Sequence, residues 1–287
     1  MEINFCGIPS HYKKFLGVPI HNYLTFDNNL QPLKRWKIEI DSEDPPDITQ
    51  EDIDILLTVT GVTVRKVCNI GFLSKLMSYM KNLVKFELTR INFIPPNNFF
   101  SCNPNIKYID LSFNHITSIP NGLFNGLTEL QKLNLRSNNI ESISADMFTG
   151  LINLIELDLA FNRLKTIPAH TFNGLTKLNV LLLGNNELRT LEINSFRGLR
   201  GLHKLELNNN ILTIPCGVFN DLIELTELNL KYNVLKHIPL GIFDSLRNLF
   251  SLILINNHLT RLQLPIFLKN VNILIDNYVG VTYYTRK

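Results

Sequence analysis

The 287-residue chain has little of what most catalytic, secreted or membrane-spanning proteins rely on. Its four cysteines, Cys6, Cys68, Cys102 and Cys216, stand singly, with no C-x-x-C pair. That spacing argues against a zinc cluster or a disulfide framework and predicts reduced, buried or half-buried thiols. A Cys6–Cys68 or Cys68–Cys102 bridge is the alternative. No apolar run approaches the ~20 residues that cross a bilayer. The net charge of +3 supplies no strong field for nucleic acid or an anionic membrane. No Gly-rich phosphate loop is present, and no Ser/His/Asp or Cys/His set converges. His115 and His258 lie many turns apart. An enzyme is not expected, and neither a metal nor a cofactor is implied. None of the asparagines lies in an N-x-S/T sequon. The start, Met1 to Gly7, lacks the basic and apolar regions of a secretory signal.

What the chain does have is an asparagine on a fixed beat: Asn114, Asn138, Asn162, Asn186, Asn210, Asn233 and Asn257, in steps of 24 residues with one of 23. Each sits in the frame L-x-x-L-x-L-x-x-N, as in Leu130, Leu133, Leu135 and Asn138. This period and frame mark a leucine-rich repeat solenoid. The predicted class is an α/β repeat. A parallel β-sheet lines its concave face, with turns or short helices on the convex face. In one unit, Leu154, Leu157 and Leu159 form a short inward-facing strand, and Asn162 ends it. The amide of Asn162, at once donor and acceptor, is expected to bond backbone groups of its own and adjacent coils. Pro168 is expected to stop any ladder on the convex side. Gly126, Gly150, Gly174 and Gly198 fall where a tight turn needs positive φ. A second beat, Phe100, Phe124, Phe148, Phe172, Phe196, Phe219, Phe243 and Phe267, predicts a stacked core spine. The 23-residue step, at Ile211 to Pro215, shortens only a convex loop.

Upstream the frame persists with substitutes. Ile91 and Val67 take the Asn place, and Met77 and Met80 take the Phe and Leu places. Trp36 to Ile40 reads as a strand, and the segment from Asp47 as a cap for a short helix over 48–57. The organisation expected is an N-terminal cap over 1–35, degenerate repeats over 36–82, regular repeats over 83–268, and C-terminal cap strands over 269–287. In that last stretch Ile273 and Ile275 mark a final strand, and Val279 to Tyr283 alternates as an edge.

Positions 3, 5, 7 and 8 of each frame face the concave side, and strands stacked ~4.8 Å apart turn each position into a column. Large apolar side chains there have no core to fill. Tyr108, Phe113, Phe161, Val180, Leu182 and Tyr232 are of that kind, and Asp110 and Asp158 flank them. Aromatic anchors ringed by charge are what protein interfaces concentrate. These eight residues are the candidate partner-binding site, for a protein with a basic and apolar face. Acidic side chains in the position 5 column argue against nucleic acid.

From about Leu83 to Leu268 the units resemble the "typical" class of leucine-rich repeats, L-x-x-L-x-L-x-x-N-x-L-x-x-I-P-x-x-x-F-x-x-L; Ile116 to Leu127 carries the second half. That class is similar to the ectodomains of Toll-like receptors, small proteoglycans and variable lymphocyte receptors. The resemblance implies a monomeric, non-catalytic module that binds a protein as scaffold, adaptor or inhibitor. Such ectodomains usually carry cysteine caps and glycans, and this chain has neither signature. A cytoplasmic location is therefore expected. The alternative is a truncated, secreted receptor-like ectodomain. A third reading makes the N-terminal segment an effector that the repeats target.

Overall fold

The computed structural model describes residues 48–67, 69–89, 91 and 94–285, with the strand backbones at 14–15, 18–19, 24–26 and 35–40. The 24-residue period resolves into a 12-stranded sheet. Its strands in chain order are β3 (Leu24–Phe26), β4 (Arg35–Ile40), β5 (Gly61–Val67), β6 (Lys85–Thr89), β7 (Tyr108–Asp110), β8 (Lys132–Asn134), β9 (Glu156–Asp158), β11 (Val180–Leu182), β13 (Lys204–Glu206), β14 (Glu227–Asn229), β15 (Ser251–Ile253) and β17 (Asn272–Leu274). All pairs from β4 to β17 are parallel; β3 pairs antiparallel with β4. The backbones β1 (Lys14–Phe15) and β2 (Val18–Pro19) form a separate hairpin. Of the cap expected over 1–35 only these short strand backbones are described; the rest lies outside the described residues, as do Cys6, Cys68, Asp47 and Arg90.

The strands are three residues long where the repeat is regular and span positions 3 to 5, while the inward leucines at positions 1 and 6 flank them, as Leu154 and Leu159 flank β9. In β7, β9, β11 and β13 a buried central residue is flanked by two half-buried ones. Behind them the phenylalanines stack. Phe148–Phe172, Phe172–Phe196 and Phe196–Phe219 have ring centroids 6.1, 6.2 and 6.1 Å apart with planes within 22° of parallel. Phe100 to Phe243 are at most 1% exposed. Phe267 breaks the expectation of an eight-membered spine. It falls in a 3-10 turn at Ile266–Asn270 and is half-buried, its ring under the Arg247 guanidinium at 4.3 Å.

The asparagines act as latches between coils. In the seven units from Asn114 to Asn257, Oδ1 accepts a backbone N–H from the preceding unit (for Asn162, that of Ile140 at 3.0 Å). Nδ2 donates to one carbonyl of the preceding unit and one of its own; for Asn162 these are Leu135 and Leu159, both at 3.0 Å. Successive asparagines share these carbonyls, but each N–H has one acceptor, and a buried N–H left without one costs ~1–3 kcal/mol, so the position tolerates little else. The short unit keeps its latch: Leu212 N–H reaches Asn233 at 3.2 Å. The four predicted turn glycines lie at φ between 81 and 89°.

The degenerate units use helices where the regular ones use turns. Helix α1 spans Gln50–Leu56. It is capped by a reciprocal box between Thr49 and Asp52: Asp52 N–H donates to Thr49 Oγ1 at 3.2 Å and Thr49 N–H to Asp52 Oδ2 at 2.8 Å. Helix α2 spans Ile70–Tyr79, capped by Asn69, and buries Phe72, Leu73, Leu76 and Met77. Its C-terminal end meets Asn103, which stands where the next unit has Leu127. Asn103 Nδ2 donates to the carbonyls of Met77 and Met80 at 3.2 and 2.8 Å, adding to the backbone N–H groups of Met80 and Leu83 that those carbonyls accept.

On the convex side a two-residue parallel ladder joins β10 (Thr166–Ile167) to β12 (Thr190–Leu191), with a bridge from Thr190 to Thr213. Pro168 does not prevent this ladder; it ends it, because the missing N–H follows the last paired residue. The same line reappears as β16 (Arg261–Pro265), which pairs in parallel with β18 (Gly280–Tyr284). The alternating Val279 to Tyr283 segment thus closes the convex line and does not edge the main sheet. Cys102 and Cys216 correct another expectation, since both are free and exposed. Each sits on a convex turn after a core phenylalanine or proline, where no inward position remains.

Candidate functional site

The sheet register aligns the columns directly. Position 3 runs Lys85, Tyr108, Lys132, Glu156, Val180, Lys204, Glu227 and Ser251. Position 5 runs Glu87, Asp110, Asn134, Asp158, Leu182, Glu206, Asn229 and Ile253. Val180 and Leu182 therefore share β11, half-buried, with Glu156 and Asp158 on one neighbouring strand and Lys204 and Glu206 on the other.

The two predicted acids serve the backbone as well as the surface. Asp110 Oδ1 accepts the N–H of Ser112 at 2.8 Å, and Asp158 Oδ1 that of Ala160 at 2.9 Å. Asn134 and Asn229 do the same for Arg136 and Lys231. An Asp or Asn that bonds the backbone two residues on is a local turn device, and its recurrence at position 5 is the signal for it. The second Asp110 oxygen accepts Tyr108 Oη at 3.0 Å and Asn134 Nδ2 at 3.1 Å. Burial, and then the Asp110 carboxylate, hold the Tyr108 hydroxyl well above its ordinary pKa. Burial also raises Asp158, against the pull of Ala160 N–H and Arg136 and with added push from Glu156 and Asp110. Burial works to lower Lys204, but hydrogen bonds and charge from Glu206 and Glu227 outweigh it and raise it.

The cations of this face are largely engaged. Lys85 pairs with Glu87, Lys132 with Glu156 at 2.7 Å, and Lys204 with Glu206 and Glu227 at 3.1 and 3.2 Å. Arg136 lies 3.8 Å from Asp158 and places its guanidinium 4.3 Å from the Phe161 ring centroid. The Phe161 ring is thus engaged with the preceding unit. Tyr108, Lys132, Leu133, Asn134, Glu156 and Asp158 line a depression of about 180 Å³ between β7 and β9.

Position 8 holds a feature that spacing did not expose. Phe113, Ser137, Phe161, Asn185, Asn209, Tyr232 and Asn256 all have φ between 53 and 57°. This left-handed conformation suits Gly and Asn and is unusual for bulky residues. Asparagine at three of the seven positions was the available signal. The aromatic ones are also exposed: Phe113 by 65%, Phe161 by 44% and Tyr232 by 47%. The structure brings Asp158, Val180, Leu182 and the Phe161 backbone into one area, with Tyr108 and Asp110 beside it. Tyr232 lies three strands away, over Lys231 Nζ at 4.6 Å. Among the described residues no three His, Cys, Asp or Glu side chains converge as metal ligands, and no helix is long and apolar enough to cross a membrane.

Comparison with known proteins agrees with this architecture. Among solved structures, TLR13 in its complex with ssRNA13 superposes with a TM-score of 0.69 at 28% identity, over 80% of this chain and 34% of that one. Drosophila Toll in its complex with Spatzle, at TM-score 0.63 and 22% identity, covers 88% of this chain and 39% of that one. The chain thus spans between a third and two-fifths of the length of these proteins. No curated protein sequence matches it. The leucine rich repeat family profile matches residues 104–164, 152–212 and 207–259, more than half of the chain. With the asparagine latches and the parallel array from β4 to β17, this places the chain in the leucine rich repeat family.

Proposed function

We propose that the chain is a non-catalytic, monomeric binding module that takes a protein partner on its concave face, through Tyr108, Phe113, Phe161, Val180, Leu182 and Tyr232 with Asp110 and Asp158. The observation that carries this reading is the placement of Phe113, Phe161 and Tyr232. All three are exposed aromatic side chains in left-handed backbone. Non-glycine residues pay roughly 1–2 kcal/mol for that conformation. Asparagine fills the same place at Asn185, Asn209 and Asn256, so folding does not require the aromatics. Exposed cation–π contacts at Phe161 and Tyr232 return ~0.5–1 kcal/mol each, less than that cost, and Phe113 makes none among the described residues; a cost so incompletely returned fits a binding anchor.

The test is affinity capture from the native cell with the wild type and with Phe161→Ala combined with Leu182→Ala. Titration with the recombinant partner follows. Equal affinity of the two forms for every captured partner would sink the reading.

A second reading, a receptor-like ligand-binding segment in a secreted or extracellular setting, draws on the 28% identity to TLR13. The RNA in that complex belongs to TLR13. On this chain Glu87, Asp110, Asp158 and Glu206 occupy the position 5 column, where a phosphate backbone needs Lys or Arg. Filter binding with a single-stranded RNA of 13 nucleotides decides between the ligand classes: retention at physiological salt would favour RNA.

A further inference from the structure

This inference rests on the concave-site reading and names the chemistry of what enters it. We propose that the depression between β7 and β9 receives a cationic side chain, an arginine or lysine of a protein partner. Asp158 Oδ2 is its acceptor, and a neighbouring aliphatic side chain of the partner sits on Val180 and Leu182.

The argument is an accounting of carboxylates. Glu87 is held by Lys85 and by Thr63 Oγ1 at 2.7 Å. Asp110 accepts from Ser112 N–H, Tyr108 Oη and Asn134 Nδ2. Glu156 takes Lys132. Glu206 takes Lys204 and Asn229 Nδ2 at 2.6 Å, and Glu227 shares Lys204. Asp158 differs. Its Oδ1 is satisfied by Ala160 N–H, while Oδ2 has only a long ion pair with Arg136, at 3.8 Å and beyond hydrogen-bond reach, where the other carboxylates of the face hold a cation or an N–H or O–H donor at 3.2 Å or less. Arg136 is turned to the Phe161 ring instead. The Asp158 side chain is 13% exposed. It lines a depression of about 180 Å³, where water molecules take ~30 Å³ each, so a guanidinium or ammonium fits.

The adjacent strand fixes the second contact. Asp158 pairs in register with Leu182, and Glu156 with Val180. The acceptor and the apolar seat are therefore ~4.8 Å apart across the sheet. A partner can match this with residues two apart on an extended segment, or three or four apart on a helix. An anionic ligand such as RNA would instead meet Glu156, Asp158 and Asp110.

The experiment pans a displayed library of random 12-residue peptides against the intact chain and against Asp158→Asn. This variant keeps the acceptor for Ala160 N–H, and a thermal melt confirms its fold. Peptides selected on the wild type should be enriched in Arg or Lys beside Leu, Ile or Val. On Asp158→Asn the basic enrichment should vanish while the aliphatic one stays. A synthetic wild-type-selected peptide should bind Asp158→Asn about tenfold more weakly, and wild-type affinity should fall as salt rises. Peptides without a basic bias, no enrichment at all, an unchanged affinity for Asp158→Asn, or displacement by single-stranded RNA would each overturn the proposal. Peptides lacking basic residues that still lose binding on Phe161→Ala with Leu182→Ala would leave the concave-site reading standing. Peptides indifferent to both changes would remove both.

Discussion

The Arg136 guanidinium lies 4.3 Å from the centroid of the Phe161 ring, and it reaches that ring from the preceding repeat. Arg136 therefore spans two units, with Asp158 at 3.8 Å as its second neighbour. Exposed cation–π pairs contribute ~0.5–1 kcal/mol. A double-mutant cycle of Arg136→Ala and Phe161→Ala, followed by urea unfolding, should give a coupling of that size. Strict additivity would mean that the ring and the guanidinium do not hold each other.

The left-handed position 8 gives a prediction of opposite sign to the usual one. Phe113→Asn, the replacement of an aromatic residue by a polar one, should stabilise the fold by ~0.5–1 kcal/mol, because asparagine tolerates positive φ. Asn185→Val, at the same position, should destabilise by at least as much. Denaturation midpoints measure both. A lower midpoint for Phe113→Asn would show that the ring contributes more to folding than its 65% exposure implies.

The latch predicts a large loss from a small change. Asn162→Ala strands the Ile140 N–H in the core and removes one of two donors from each of the Leu135 and Leu159 carbonyls, which keep Asn138 and Asn186. At ~1–3 kcal/mol for the orphaned N–H and ~0.5–1.5 for each carbonyl bond lost, with partial relaxation, a loss of about 2–4 kcal/mol is expected in urea unfolding. Asn162→Asp keeps the acceptor but loses both donations. It should not restore wild-type stability at neutral pH.

The phenylalanine series separates by place. Phe172→Ala, inside the stack at 0% exposure, should cost ~3–5 kcal/mol. Phe267→Ala, half-buried beneath Arg247, should cost less than half as much. Equal costs would mean that the 3-10 turn at Ile266–Asn270 is as much core as the regular coils.

Asp158 supplies a pH dependence. Its pKa is raised in the folded chain, first by burial, so between the unfolded and folded values the native state binds more protons than the unfolded one. The associated stability is fully present below the unfolded value and is lost as pH rises through the folded one. Unfolding measured from acid to neutral pH should show that decline in the wild type and a flatter profile in Asp158→Asn. Identical profiles would mean that Asp158 titrates normally.

Most of the scaffold was legible because one asparagine and one phenylalanine per period answer to single physical needs: a buried donor–acceptor and a buried ring. The concave columns followed from the same count, and the register matches them residue for residue from Lys85 to Ile253. What escaped were features in which two needs meet at one residue. Asp110 and Asp158 stand on the surface and also close a turn, so their exposure alone misstates them. Asparagine at position 8 was hidden by the general excess of that residue. Burial or half-burial is the expectation for Cys102 and Cys216 because cysteine is usually buried, but the convex turns where they sit have no inside. Thr166 and Thr190 pair because the coils come close there, a matter of spacing between units that the sequence of one unit does not contain.

The latch has a consequence for how such a chain can change over generations. Each asparagine engages its own coil and the coil before it, through backbone groups that every coil offers alike. Duplicating or excising a whole coil would leave every remaining coil with an equivalent neighbour, and the short unit ending at Asn233 shows that even a length error is absorbed away from the joint. The extent of the binding face and the chemistry written on it can therefore be inherited and altered independently.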